Sequence, residues 1–195
     1  MNRLTSILVL LPTLCLASLN PTDGNEPDPT ASNRVLYSSD CITEAELVEA
    51  QQEWGEGIVK IGKIYSAGGD YTQAAKEHIQ DLYGYDLSLV LFKPTLASDE
   101  QFRGTFDAAL SYFVGGNETY PEDKGFALTP YTHVRWENNG IINNTCNMAV
   151  AMGNYYFTKA DGEEIKVEFT MGYVKDKNGQ LRIVVHKSSL PYRNE

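Results

Sequence analysis

Histidine is scarce in this chain, occurring three times in 195 residues, at His78, His133 and His186. No two of them have metal-ligand spacing, and neither a CxxC nor an HExxH string occurs. The motif-based zinc centres are therefore excluded, and a zinc or manganese site would need histidines from three separate elements to converge. Also missing are a G-x-S-x-G elbow, a phosphate loop and a dinucleotide fingerprint. The Gly68-Gly69 and Gly115-Gly116 pairs read as turns. Positive charge is in deficit, with 16 Lys and Arg against 26 Asp and Glu and a net charge of −10. Without a basic stripe to neutralise phosphates, nucleic acids and anionic membrane surfaces are poor partners.

No apolar run reaches the ~20 residues that span a bilayer. The longest, Leu4 to Leu16, follows a positive Met1-Asn2-Arg3 start and ends at Cys15-Leu16-Ala17, with small residues at the −3 and −1 positions of a cleavage site. Residues 1–17 thus read as a signal peptide, with an uncleaved anchor helix as the alternative. Residues 18–40 are rich in Pro, Asp, Asn, Ser and Thr and lack apolar periodicity, the composition of a disordered linker. The expected destination is the secretory route, secreted or periplasmic. A plastid reached through the endoplasmic reticulum of an alga is the alternative, against which Asp23, Glu26 and Asp28 weigh. Two cysteines remain, Cys41 and Cys146, either disulfide-bonded or two buried thiols. Asn117 and Asn143 match the glycosylation pattern.

Residues 41–195 suffice for one domain with its own core. Thr43-Glu44-Ala45-Glu46 is a capping box, and apolar residues recur at helical spacing from Leu47 to Ser66. Asp70 to Tyr83 reads as a second helix, with Gly84 as its C-terminal cap. Leu89 to Phe92 reads as a buried strand stopped by Pro94, and a short helix follows near Thr105 to Phe113. The rest is β-structure: Tyr131 to Glu137, a turn at Asn138-Asn139-Gly140, then strands over Cys146 to Thr158, Ile165 to Tyr173 and Leu181 to Ser188. Helices followed by an antiparallel meander define an α+β class. A sheet this long must curl, so helices packed on its concave face would enclose a pocket. The 12 tyrosines suit such a wet cavity or an interface, because a buried hydroxyl needs a partner.

Two polar groups stand out. Strand alternation places Val184, His186 and Ser188 on one face and Leu181, Ile183 and Val185 on the other. An imidazole beside a hydroxyl can relay a proton and orient an oxygen-rich ligand. The second group is Thr95, after the apolar strand, with Tyr112 at the end of the short helix; their hydroxyls hydrogen-bond without bringing charge. Glu137 and Glu168 alternate with apolar residues and read as solvated.

The strings LVLFKPT (89–95), FRGTFDAALSYFVGG (102–116), EDKGFAL (122–128), AMGNYYFT (151–158) and VVHKSSLPY (184–192) resemble the iota-class carbonic anhydrases. That family has a domain like the association domain of calcium/calmodulin-dependent kinase II, within the cone-shaped nuclear-transport-factor-2-like α+β barrels. The resemblance covers residues 41–192. It implies reversible hydration of CO2 to bicarbonate in a pocket lined by Thr95, Tyr112, His186 and Ser188. In such a pocket the three hydroxyls would hold CO2 and a water in attack geometry, and His186 would accept the proton. Metal-free and manganese-preferring members both exist, and the dispersed histidines favour the metal-free form. The family motif usually reads His-His-Ser-Ser; here Lys187 takes the second position and alternation turns it away from the pocket. A homodimer through the outer sheet face is also expected, and the apolar residues on both faces of the 146–158 strand, Met148, Val150 and Met152 against Ala149 and Ala151, fit it. The competing readings are a non-catalytic ligand-binding or assembly module and a cone-fold isomerase or cyclase.

Overall fold

The computed structural model describes residue 38 and residues 40–193. The signal segment and nearly all of the linker expected over 18–40 lie outside the described residues.

Helix α1 (Glu44–Ser66) begins as the sequence predicts: Thr43 Oγ1 accepts from Glu46 N–H while Glu46 reaches back to Thr43 N–H. Its buried stripe, including Leu47, Trp54, Ile58 and Ile61, recurs at helical spacing and packs on the sheet. Helix α2 (Tyr71–Leu82) is capped by Asp70 and buries Ala74, Ala75, His78, Ile79 and Leu82. Gly84 does not cap it. The helix ends because Tyr83 is extended and bridges to Ile183, and Gly84 N–H donates to Ile183 carbonyl at 2.9 Å.

Strand β1 (Leu91–Lys93), helix α3 (Phe106–Val114, capped by Thr105) and a 3-10 turn (Phe126–Leu128) follow. The remaining strands are β2 (His133–Ile142), β3 (Ala149–Thr158), β4 (Glu164–Lys175) and β5 (Leu181–Ser189). The sheet order is β1-β5-β4-β3-β2, antiparallel except for β1, which lies parallel to β5. The 89–92 run is not uniformly buried: Leu89 and Leu91 are exposed, and Val90 and Phe92 face the core. It is the edge strand of a sheet that is covered here on one face only.

The Asn138-Asn139-Gly140 string is not a turn. Strand β2 runs through it to Ile142 with a bulge, and the chain reverses over residues 143–148 instead. The bulge is held by reciprocal amide hydrogen bonds between Asn138 and Gln51 on α1, at 2.8 and 2.9 Å. Gly153 opposite has no room for a side chain, since a Cβ there would sit 2.0 Å from Glu137 carbonyl. Cys41 and Cys146 form a disulfide that ties the start of α1 to the 143–148 reversal. Asn143 Nδ2 donates to Ile42 carbonyl at 3.0 Å in the same place.

The sheet wraps around α1. Strands β2 and β5 are separated by two others, about 14 Å apart in a flat sheet. Yet the Trp54 ring lies 5.7 Å from Trp136 on β2 and 5.5 Å from His186 on β5. Only a sheet concave toward α1 brings both to one indole. Bulges in β2 and between β4 and β5 supply the extra twist this needs.

Candidate active site

The bulge between β4 and β5 sets which side chains reach the interior. Tyr173 pairs with Ile183 and Gly172 with Val185, so Val184 is the extra residue. Ile183 is therefore brought to the same face as His186 and Ser188, contrary to simple alternation. All three are buried, opposite the inward Tyr173, Met171 and Phe169. Lys187 stays outside as expected: it is exposed and its ammonium donates to Ser189 Oγ at 2.6 Å.

The four residues singled out from sequence line one cavity of about 90 Å³, together with Trp54, Phe92, Tyr155 and Phe157. Sites for drug-sized ligands run to about 300–1,000 Å³. This one has room for a triatomic molecule and a water. Parallel pairing of Phe92 with His186 stacks the two rings at 4.9 Å and directs the chain beyond Pro94 back over the cavity. There Thr95 Oγ1 donates to Ser188 Oγ at 2.9 Å. Tyr112 arrives from α3; burial pushes its phenol pKa well up, with the Leu96 backbone opposing.

Tyr155 was missed by the sequence reading. It is 2 % exposed, and its hydroxyl lies beside the Thr95–Ser188 hydroxyl pair. Burial again raises its pKa, the two hydroxyls opposing. In sequence Tyr155 is one aromatic in an alternating strand. Only the pairing of β3 against β4, and of β4 against β5, brings it to the Thr95–Ser188 pair.

His186 is 2 % exposed. Its Nδ1 lies 2.8 Å from Tyr83 Oη, which accepts from Trp54 Nε1–H at 3.0 Å. Its Nε2 is buried and has no partner among the described residues. Burial, with His78 second, holds its pKa down at about 3. The ring is neutral at physiological pH.

A second buried network steadies the 95–104 loop. Arg103, fully buried, donates to Asp123 at 2.9 Å and to Glu122 at 3.3 Å; Ser111 donates to Asp123 at 2.6 Å. Glu122 also accepts from the N–H groups of Ser98, Asp99 and Glu100 and from Ser98 Oγ; the two Ser98 bonds, with Asp99 and Arg103 behind them, hold its carboxyl at about 2. Asp123 and Asp176 are buried against Arg103 and Arg182. Both pairs are structural, and neither acid lines the cavity. The three histidines do not converge: His133 is exposed, and no group of three His, Cys, Asp or Glu among the described residues is placed to hold a metal.

Four hydroxyls and one neutral imidazole, facing a small aromatic cavity under a curved sheet, define a site for a small uncharged substrate. A family model described as metal-independent carbonic anhydrase matches residues 45–190. The metal-independent carbonic anhydrase of Nostoc sp. is 43% identical over 172 residues, 87% of this chain and 83% of that protein. The crystal structure of a cyanobacterial iota-carbonic anhydrase complexed with bicarbonate superposes with a TM-score of 0.76 at 44% identity, over 79% of this chain and 95% of that one. A putative calcium/calmodulin-dependent kinase II association domain from Xanthomonas campestris gives 0.46 at 18% identity, over 81% and 98%. This chain belongs to the metal-independent carbonic anhydrase family.

Proposed function

We propose that this protein catalyses the reversible hydration of CO2 in the cavity under Thr95, Tyr112, Tyr155, His186 and Ser188, without a metal. The observation that carries the reading is the junction of the Thr95–Ser188–Tyr155 hydroxyls with an otherwise apolar cavity of about 90 Å³. CO2 is apolar overall and suits the aromatic walls; a water suits the hydroxyl cluster.

In the step we propose, a water lone pair forms the new C–O bond while a C=O π pair moves onto a substrate oxygen. One hydroxyl takes a proton from the attacking water as it gives its own to that oxygen. The product is carbonic acid, which ionises on leaving. No charge is created in the cavity, and this matters because an unpaired ion there would be strongly disfavoured. No metal lowers the water's pKa to about 7, so positioning and preorganised hydrogen bonds must supply the rate. The expected role of His186 as proton acceptor is revised: a ring held at about 3 by burial gives little drive for taking a proton from water. It serves better as a neutral group beside the substrate oxygens. Metal-stripped protein should hydrate CO2 above the buffer rate in a stopped-flow pH assay. No activity from protein with native circular dichroism would overturn the reading.

Export is part of the same proposal, supported by the composition of residues 1–17 and by the Cys41–Cys146 disulfide, a bond suited to an oxidising compartment. Of the two sequons, Asn117 is the better acceptor, because Asn143 has its side-chain nitrogen engaged with Ile42. We also place a homodimer interface on the outer sheet face. Ile142 and Met152 are exposed there and Val150 is half-buried, a patch that a second copy would cover.

A further inference from the structure

We infer that Tyr83 is a positioning residue: it holds His186 in the tautomer protonated at Nε2, so that this cavity-lining ring carries an N–H and not a lone pair at its unpartnered nitrogen. The inference follows from a count of protons along one buried chain. Trp54 Nε1 can only donate, and it donates to Tyr83 Oη at 3.0 Å. The Tyr83 hydroxyl therefore accepts there and has one hydrogen left to place. Its other recorded polar neighbour is His186 Nδ1 at 2.8 Å. If Tyr83 donates that hydrogen, Nδ1 is an acceptor and the single proton of the neutral ring sits on Nε2. The opposite arrangement would give Tyr83 Oη two donors and leave its own hydrogen without a partner. Tyr83 is 1 % exposed, so no solvent is at hand to take that hydrogen.

The ring cannot swing to another pairing. Phe92 stacks on it at 4.9 Å and Trp54 meets it edge-on at 5.5 Å. Nε2, buried and unpartnered, belongs to a ring that lines the cavity. On the CO2-hydration reading, on which this consequence rests, the N–H meets the substrate oxygen as it gains negative charge. Neutral imidazoles serve as electrophiles elsewhere in this way.

The test uses the full chain with 15N-labelled histidine, His186 being assigned by its loss in His186→Gln. In wild type at neutral pH, the one-bond N–H coupling of His186 should appear at Nε2. Coupling at Nδ1 overturns the inference. Tyr83→Phe should lose this preference, and kcat should fall by about tenfold with KM little changed, as when a group that orients a catalytic imidazole is removed. A kcat within twofold of wild type also overturns it. If Tyr83→Phe does not fold, the wild-type spectrum decides alone. Absence of CO2 hydration in wild type would sink the proposed reaction, whereas coupling at Nε2 in that sample would uphold the Tyr83–His186 assignment, so the two failures are distinguishable.

Discussion

Ser188 accepts the hydroxyl of Thr95 at 2.9 Å and contacts the hydroxyl of Tyr155, so removing its oxygen breaks the polar end of the cavity at its centre. Ser188→Ala should lower kcat by about a hundredfold, the scale of one lost preorganised donor. Its stability cost should be only about 1 kcal/mol, because few partners are stranded. Tyr155→Phe should behave alike, which stopped-flow rates and thermal melts can check together; equal losses of rate and stability would assign these groups to packing. The histidines predict an acid response. Burial holds His78 and His186 at about 3, with Lys60 and His78 respectively as secondary causes. The unfolded chain binds their protons below about 6.5, and the folded chain only near 3. Stability should therefore be fully present above about pH 6.5 and fall on acidification, by about 1.4 kcal/mol per pH unit for each histidine. Denaturant titrations at stepped pH measure that slope. At this scale His186, Ser188 and Thr95 were legible in the sequence as polar residues at the ends of apolar strands, and Tyr112 as a hydroxyl at the end of a short helix. Tyr155 was not, because nothing local separates a catalytic-site tyrosine from a core one.

At the level of elements, the helices announced themselves through local chemistry that needs no tertiary partner: the Thr43–Glu46 box, Asp70 and Thr105 all cap where the sequence places them. Two features depended on distant residues and misled. Asn139-Gly140 carries a turn signature, yet the Asn138–Gln51 amide pair and the close backbone approach at Gly153 keep β2 running. The Val184 bulge leaves no local mark at all. It is defined by where Tyr173 and Gly172 pair across the sheet. Lys187 illustrates what survives: an outward position on β5 is insulated from the site by the strand itself. Lys187→His should leave kcat/KM within about twofold, since surface changes away from the chemistry are near neutral. The Arg103–Asp123 pair predicts the contrary. Asp123→Ala would leave a fully buried guanidinium without its nearer carboxylate and should cost about 3–5 kcal/mol, read by urea unfolding. Because the same network anchors the loop carrying Thr95, activity should fall as well.

For the whole molecule, the inner and outer faces of the sheet differ in burial, and one strand carries both. Ala149, Ala151, Tyr155 and Phe157 of β3 are buried toward α1, whereas Met152 between them is 55 % exposed. Ile142, paired with Val150 at the next outer position, is 64 % exposed. An isolated exposed methionine needs no explanation, but these lie together on adjoining strands and face away from the catalytic cavity. The sequence pattern is apolar on both sides of β3, and it could not say which side met the helices. If the outer face joins two copies, Met152→Lys sets a desolvated ammonium near its own symmetry mate and should shift the protein to monomer. Sedimentation velocity at matched concentrations measures that shift. The cavity lies on the opposite face, so kcat should stay within about twofold in the monomer. A wild-type protein that already sediments as a monomer would reject the interface. A variant that dissociates and also loses activity would instead mean that the two faces of the sheet are coupled, with dimer contacts holding the curvature that brings β2 and β5 to the same indole.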